Sequence, residues 1–248
     1  MTDAENSTET KRRITIKERN GDGIEMDLSP LLISLSVALT ATAISFMLGT
    51  YSAFKMKGTI TERAHLLDIM LNLPLVLPPT VTGLLLLIMF GKKGLLGKVL
   101  QYLGYQVIFT QKGAILAAVC VSYPLMYRCA KAAFELVDER LIEAGRTLGM
   151  SELAIFRKII LPLSLPGIVS GIILSFARAM GEFGATLIIA GNIPGRTQTI
   201  PLAIYGSLQS GKYYSALLWS GILIVLSFLM MFLVKYITNR YGRKFICM

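Results

Sequence analysis

An all-α, polytopic transmembrane bundle of about five spans is the fold class this sequence predicts, and three observations predict it. Of 248 residues, 54% are apolar, and mean hydropathy is +0.61, against the roughly 45–50% apolar usage of ordinary soluble domains. Five stretches are apolar over about the length at which a helix, rising about 1.5 Å per residue, crosses roughly 30 Å of hydrocarbon. Between them lie the charges, and the densest polar island is Glu143 to Pro162, EAGRTLGMSELAIFRKIILP.

In chain order, residues 1–27 are polar and mixed in charge, and read as a surface or disordered N-terminal tail, too hydrophilic for a signal peptide. Span one runs from Leu28 to Phe54, with Ser29 as an N-cap and Pro30 in the first turn, where its missing N–H does no harm. A basic loop from Lys55 to Asp68, holding the sole histidine, His65, leads into span two, Ile69 to Gly91. There Pro74, Pro78 and Pro79 each remove a backbone donor, and the freed carbonyls need neighbouring helices, Thr80, Thr82 or water. A kinked packing helix is one reading. A broken segment that, with Asn72, lines a polar path is the reading favoured here.

Lys92 to Lys112 is a loop containing GKKGLLGK. It fails as a phosphate cradle, because Gly97-Lys98 is followed by Val99 where a Walker A loop requires Ser or Thr. The chain therefore has to be driven by a partner or an ion gradient. Span three starts at Gly113 and continues to about Phe134, with Arg128 and Lys131 snorkelling. A short helix from Asp138 follows, on which Leu141, Ala144 and Leu148 share a face; Gly149 ends it in a left-handed cap, and Ser151 caps a second helix towards Pro162. Span four, Ile159 to Ala177, carries Gly167, Gly171, Ser175 and Ala179 at four-residue intervals, a stripe that lets helices approach closely. At its end Arg178 and Glu182 stand one turn apart, before Phe183. The pair either holds the bundle together or braces a gate in which Arg178 transiently favours a dianion. A loop over 191–212 precedes span five, Tyr213 to Val234, and a basic C-terminal tail occupies 241–248.

The net charge of +10 belongs to loops beside anionic headgroups and not to nucleic acid, since no basic run outside the spans is interleaved with aromatics. Cys120, Cys129 and Cys247 show neither disulfide nor metal spacing, and no cofactor is implied. A self-contained secondary transporter would have only Arg178 and Glu182 for ion coupling. A membrane enzyme would lack any cluster of His, Cys or carboxylates at ligand or nucleophile spacing.

Glu143, Ala144, Gly149, Ile159, Leu161 and Pro162 fall on the EAA-loop spacing, E-A-A-x3-G-x9-I-x-L-P, with Gly145 replacing the third-position alanine. In this the chain resembles the permease subunits of ABC importers. NLPLVLPPTVTG, GKKGLLG, GRTLG, SFARAMGEFGAT and GNIPGRTQTIP are similar to the molybdate and tungstate branch, with sulfate permeases as near relatives, over most of residues 28–240. The resemblance implies a cytoplasmic coupling loop at 138–162, in which Glu143, Ala144, Gly145 and Gly149 dock on an ATP-binding subunit, Leu148 is an apolar anchor and Arg146 a charge partner. It also implies two copies of that ATPase, a second copy of this chain and an extracellular or periplasmic oxyanion-binding protein. By position, Asn192, Pro194 and Arg196 would meet the binding protein, and Pro78, Pro79, Thr80, Arg178, Glu182 and Phe183 would form or brace the path. The N-terminus would lie outside and the C-terminus inside the cell membrane. Thirteen Lys and Arg in the segments placed inside against eleven outside favour this only narrowly.

Overall fold

The computed structural model describes the backbone of residues 13–17, 23–58 and 61–246, and side chains within 27–58 and 61–236. Two strands come first, β1 (Arg13–Lys17) and β2 (Gly23–Asp27), paired antiparallel with Arg13 opposite Asp27. The stretch read as a surface or disordered tail thus carries two paired strands. Alternating Ile14 and Ile16 in RITIK, with Asn20-Gly21 beyond them, are the sequence signals that mark such a hairpin.

The helices are α1 (Ser29–Met56), α2 (Glu62–Val76), α3 (Pro79–Phe90), α4 (Leu95–Tyr102), α5 (Gln111–Glu135), α6 (Glu139–Thr147), α7 (Glu152–Ile155), α8 (Leu161–Met180), α9 (Gly184–Ala190), α10 (Ile200–Gln209) and α11 (Tyr213–Ile246). A π-helical turn, Phe156–Ile160, joins α7 to α8 without a break. Among the described residues, four helical stretches are long and apolar enough to cross a membrane: Ser29–Met56, Gln111–Glu135, Glu152–Met180 and Tyr213–Tyr236. The pair α2 and α3, bent by 112°, makes a fifth if taken as one span.

Several boundaries move. Leu28, not Ser29, is the N-cap of α1. Asp27 supplies the acceptor that Leu28 lacks, taking hydrogen bonds from Ser29 N at 2.9 Å and Ser29 Oγ at 2.6 Å. The expected loop from Lys55 to Asp68 is helical from Glu62, so His65 sits on α2, its amide bonded to Thr61 O. The expected loop over 191–212 contains α10. The basic stretch at 241–248 is no separate tail, since the backbone of α11 stays helical to Ile246; Cys247 lies outside the described residues.

Helix α5 is the axle of the bundle, with α1 and α8 packed along it. Small residues make this possible. Ala114, Ala117, Ala118 and Ala130 of α5 are fully buried, Ser45 Oγ meets Ser122 Oγ at 2.9 Å, and Ser164 Oγ donates to Ala133 O at 3.0 Å. The stripe on α8 packs as its spacing predicts. A Cβ built on Gly167 would fall 2.6 Å from Ala133 Cβ, and one on Gly171 2.8 Å from Cys129 Cβ, while Ser175 Oγ donates to Ser122 O. In a bilayer such close contact holds helices together where no hydrophobic contrast with the solvent exists.

Two apolar clusters result. One, around Ala117, Ile189, Ile200 and Trp219, lies where α1, α5, α9 and α10 meet. The other, around Phe134, Ile142, Ile155 and Ile160, joins the bundle to α6 and the π-helical turn.

Candidate functional site

The polar island folds as its residues dictate. Asp138 caps α6, accepting from Arg140 N at 2.9 Å, and Glu139 adds a negative charge to the first turn, where the helix dipole favours it. At the other end Gly149 adopts φ +75°, and Met150 N bonds to Gly145 O at 3.0 Å. This left-handed turn costs a residue with a Cβ about 1–2 kcal/mol. Ser151 Oγ then accepts from Ala154 N and starts α7. The second helix expected here is thus the first turns of span four: α7 is continuous with a membrane helix, and α6 is packed against it.

The structure divides the predicted coupling residues by exposure. Glu143, Ala144, Arg146, Leu148 and Gly149 are exposed, whereas Gly145 is buried beside Ile142. A Cβ on Gly145 would lie 3.1 Å from Ile159 Cδ1 and 3.2 Å from Ile155 Cγ1. Position 145 therefore packs α6 onto its own membrane helix. The face of Leu141, Ala144 and Leu148 is uncovered, with Leu148 80% exposed.

Arg146 is paired inside the loop, its Nε 2.7 Å from Glu152 Oε1. That hydrogen bond pushes the already high Arg146 pKa further up. Sequence reading missed Lys57, just past α1. Its Nζ is buried without a hydrogen-bond partner among the described residues. Burial holds its pKa below the ordinary lysine value, opposed by the charge of Glu139 and reinforced by that of Arg146.

A second site forms where two helix breaks meet. The chain turns between α2 and α3 at Leu77–Pro78, and between α8 and α9 at Gly181–Phe183. These breaks, about 100 residues apart in sequence, lie against each other. A Cβ on Gly184 would fall 3.0 Å from Pro79 Cβ and 3.4 Å from Thr80 N, and one on Gly83 2.8 Å from Ala185 Cα. Glu182 is 3% exposed. It takes Arg178 Nη1 at 2.7 Å on one carboxylate oxygen and Ala185 N at 2.8 Å on the other. One carboxylate thus closes α8 onto the first turn of α9. The ring of Phe183 stands 5.2 Å from that of Tyr205 on α10.

The same region of α2 is tied back to α5. Asp68 accepts from Tyr127 Oη and from Lys131 Nζ at 2.8 Å, while Asn72 donates to Asp68 O at 2.7 Å and its Oδ1 is buried without a partner among the described residues. Asn192 is engaged internally, donating to Leu202 O and accepting from Gln198 Nε2 at 2.9 Å. Pro194 and Arg196 are exposed on the adjoining turn.

The family described as "binding-protein-dependent transport system inner membrane component" matches residues 45–243. The chain is 42% identical over 208 residues to the putative molybdenum transport system permease of Bacillus subtilis, covering 84% of this chain and 92% of that one. It is 45% identical over 181 residues to the molybdenum transport system permease of Escherichia coli K12, covering 73% and 79%. A sulfate transport system permease of Salmonella typhimurium is 32% identical over 212 residues, 86% of this chain and 76% of that one. In fold, the chain superposes on the inward-facing MetNI methionine ABC transporter with a TM-score of 0.67 over 86% of this chain and 94% of that one, at 17% identity. The chain belongs to the binding-protein-dependent transport system inner membrane components, the permease subunits of ABC importers.

Proposed function

We propose that this chain is the permease of a molybdate importer, with tungstate as an alternative cargo, and that it is driven by a separate ATPase and not itself an enzyme. The observation that carries the driving mechanism is the uncovered face of α6. Leu141, Ala144 and Leu148 stand exposed on a helix outside the spans, while Ile142 and Gly145 fasten its other face to α8. A partner gripping that face moves the membrane helix with it, because α7, the π-helical turn and α8 are one unbroken rod. Two ATP-binding subunits would grip two copies of this chain, and closure of the ATPase dimer would be passed on as rigid-body motion.

The path would run at the meeting of the two breaks, lined or braced by Pro78, Pro79 and Thr80 on one side and Arg178, Glu182 and Phe183 on the other. Arg178 is neutralised by Glu182, which suits bracing better than anion capture: a strong unpaired cation would trap a dianion that must pass on. Selection would be made outside, by a binding protein docked at Pro194 and Arg196. The coupling loop and the C-terminus would then lie in the cytoplasm, and the N-terminus outside if the α2–α3 pair makes one crossing. The molybdate assignment rests on the molybdenum permeases among the relatives. The sulfate permease at 32% identity supports sulfate as the second reading.

Reconstitution tests both halves. Uptake of molybdate into proteoliposomes is expected only with the ATPase subunit and the binding protein present, and uptake by this chain alone would sink the proposal. The anion that co-purifies with the cognate binding protein decides molybdate or tungstate against sulfate.

A further inference from the structure

Helix α4 lies between two membrane helices and cannot itself cross. Its eight residues extend about 12 Å, so with α3 ending at Phe90 and α5 beginning at Gln111 it lies at the bilayer surface. It is pressed onto the turn before it, a Cβ on Gly97 falling 1.9 Å from Gly91 O. Its other side presents Leu95, Val99 and Tyr102, which are 86%, 59% and 93% exposed. Under it opens a cavity of about 1200 Å³, walled by the end of α3, by α4 and by the segment 104–109. The lining is largely apolar, with Lys92 and Lys93 on the rim. Lys112 sits 4.7 Å above the Tyr105 ring at the same mouth. From residue 69 to residue 134 the chain contains no Asp or Glu, so no nearby carboxylate in sequence answers these cations.

We propose that this cavity binds an anionic phospholipid, its acyl chain against Leu96, Leu100 and Ile108 and its phosphate at Lys92 and Lys93. An apolar floor at the depth of the acyl chains, with cations at headgroup height that no carboxylate answers among the described residues, favours that ligand over a zwitterionic lipid with the same chains. The site does not stand apart from the helix breaks. Phe109, a wall of the cavity, donates its amide to Ile189 O of α9 at 3.0 Å, and its ring confines Gly191.

The test is independent of which solute is carried. The full-length protein in neutral detergent is given equimolar phosphatidylglycerol and phosphatidylcholine with the same acyl chains, and bound lipid is read by native mass spectrometry. Preferential retention of phosphatidylglycerol is expected, with K92Q/K93Q reducing the preference about thirtyfold. K98Q, off the cavity lining, should leave it largely unchanged, and L96D should abolish retention of both lipids. Equal retention, or a preference untouched by K92Q/K93Q, overturns the proposal. So does displacement of the lipid by millimolar inorganic phosphate, which assigns the lysines to a free anion. A K92Q/K93Q protein that keeps its lipid but changes oligomeric mass assigns the cavity to a second copy and overturns it equally.

Discussion

Glycine occupies positions 145 and 167 for different physical reasons. At Gly145 an added methyl would meet only isoleucine side chains, Ile159 Cδ1 at 3.1 Å and Ile155 Cγ1 at 3.2 Å, and a few tenths of an ångström of side-chain give relieves both. Alanine would also recover about 1 kcal/mol of helix propensity, so Gly145→Ala is expected to leave thermal unfolding of the detergent-solubilised protein unchanged or to raise its midpoint. At Gly167 the same methyl meets Ala133 Cβ at 2.6 Å, where Ser164 already fixes the register by its bond to Ala133 O. Here Gly167→Ala should cost about 1–3 kcal/mol by overpacking, read in the same assay. Glu182 presents a third case. It alone satisfies both Arg178 and the Ala185 amide, and Glu182→Ala leaves both without it. The expected loss is about 2–3 kcal/mol, less than for a fully buried pair because the Arg178 side chain is about a third exposed. Glu182→Gln, which keeps an acceptor for the amide, should lose less; equal losses would mean that the amide bond is incidental.

At the level of elements, the long spans were legible because apolar length is written directly in the sequence: α1, α5 and α8 lie within a few residues of the stretches read for them, and α11 begins at Tyr213 as read but stays helical past Val234 to Ile246. The prolines at 74, 78 and 79 marked a break, and the chain does bend there. What the sequence did not carry was the partner of that break. Nothing in Pro79 or Gly184 alone says that they touch, since the contact depends on how α3 and α9 are carried round α5. The hairpin and α10 were missed because each is shorter than the window over which hydropathy distinguishes an element from a loop. Gly145 was placed on the docking face by its motif, and only the packing of Ile155 and Ile159 shows which way it points. The contact between breaks gives a prediction of its own. Gly83→Val would push a side chain into Ala185, whose backbone lies 2.8 Å from the nearest possible Cβ, and would wedge α3 from α9. Uptake by the reconstituted importer should fall at least tenfold, for about 1.4 kcal/mol of displaced geometry, while the ATPase subunit still co-purifies. Loss of co-purification would show instead that the two sites are one folding unit. Glu143→Lys should do the reverse, detaching or uncoupling the ATPase while the midpoint of unfolding stays put, since Glu143 is exposed.

For the whole molecule, the bent α2–α3 pair sets the parity of the crossings and with it the side on which the N-terminus lies. Helix α2, with 15 residues, and α3, with 12, extend about 22 Å and 18 Å, so neither crosses roughly 30 Å of hydrocarbon alone. Bent by 112°, they either make one broken crossing or enter and leave on the same side. One crossing gives five in all and puts the chain termini on opposite faces; a re-entrant pair gives four and puts them on the same face. The charge count does not choose, thirteen against eleven, whereas a coupling face that must meet an ATPase fixes α6 in the cytoplasm under the proposed function. Three reporters in a background with Cys120, Cys129 and Cys247 changed to Ser decide the matter: Ser7→Cys, Glu143→Cys and Arg196→Cys, labelled with an impermeant maleimide in intact and permeabilised cells. Arg196→Cys should label from outside and Glu143→Cys only after permeabilisation, being separated by α8. Ser7→Cys is separated from Glu143 by α1, the α2–α3 pair and α5. It labels from outside if the pair is one crossing. Labelling of Ser7→Cys only after permeabilisation would make the pair re-entrant and place both termini in the cytoplasm, while the cavity under α4 stays at the outer leaflet, because α5 alone separates it from Glu143 in either case.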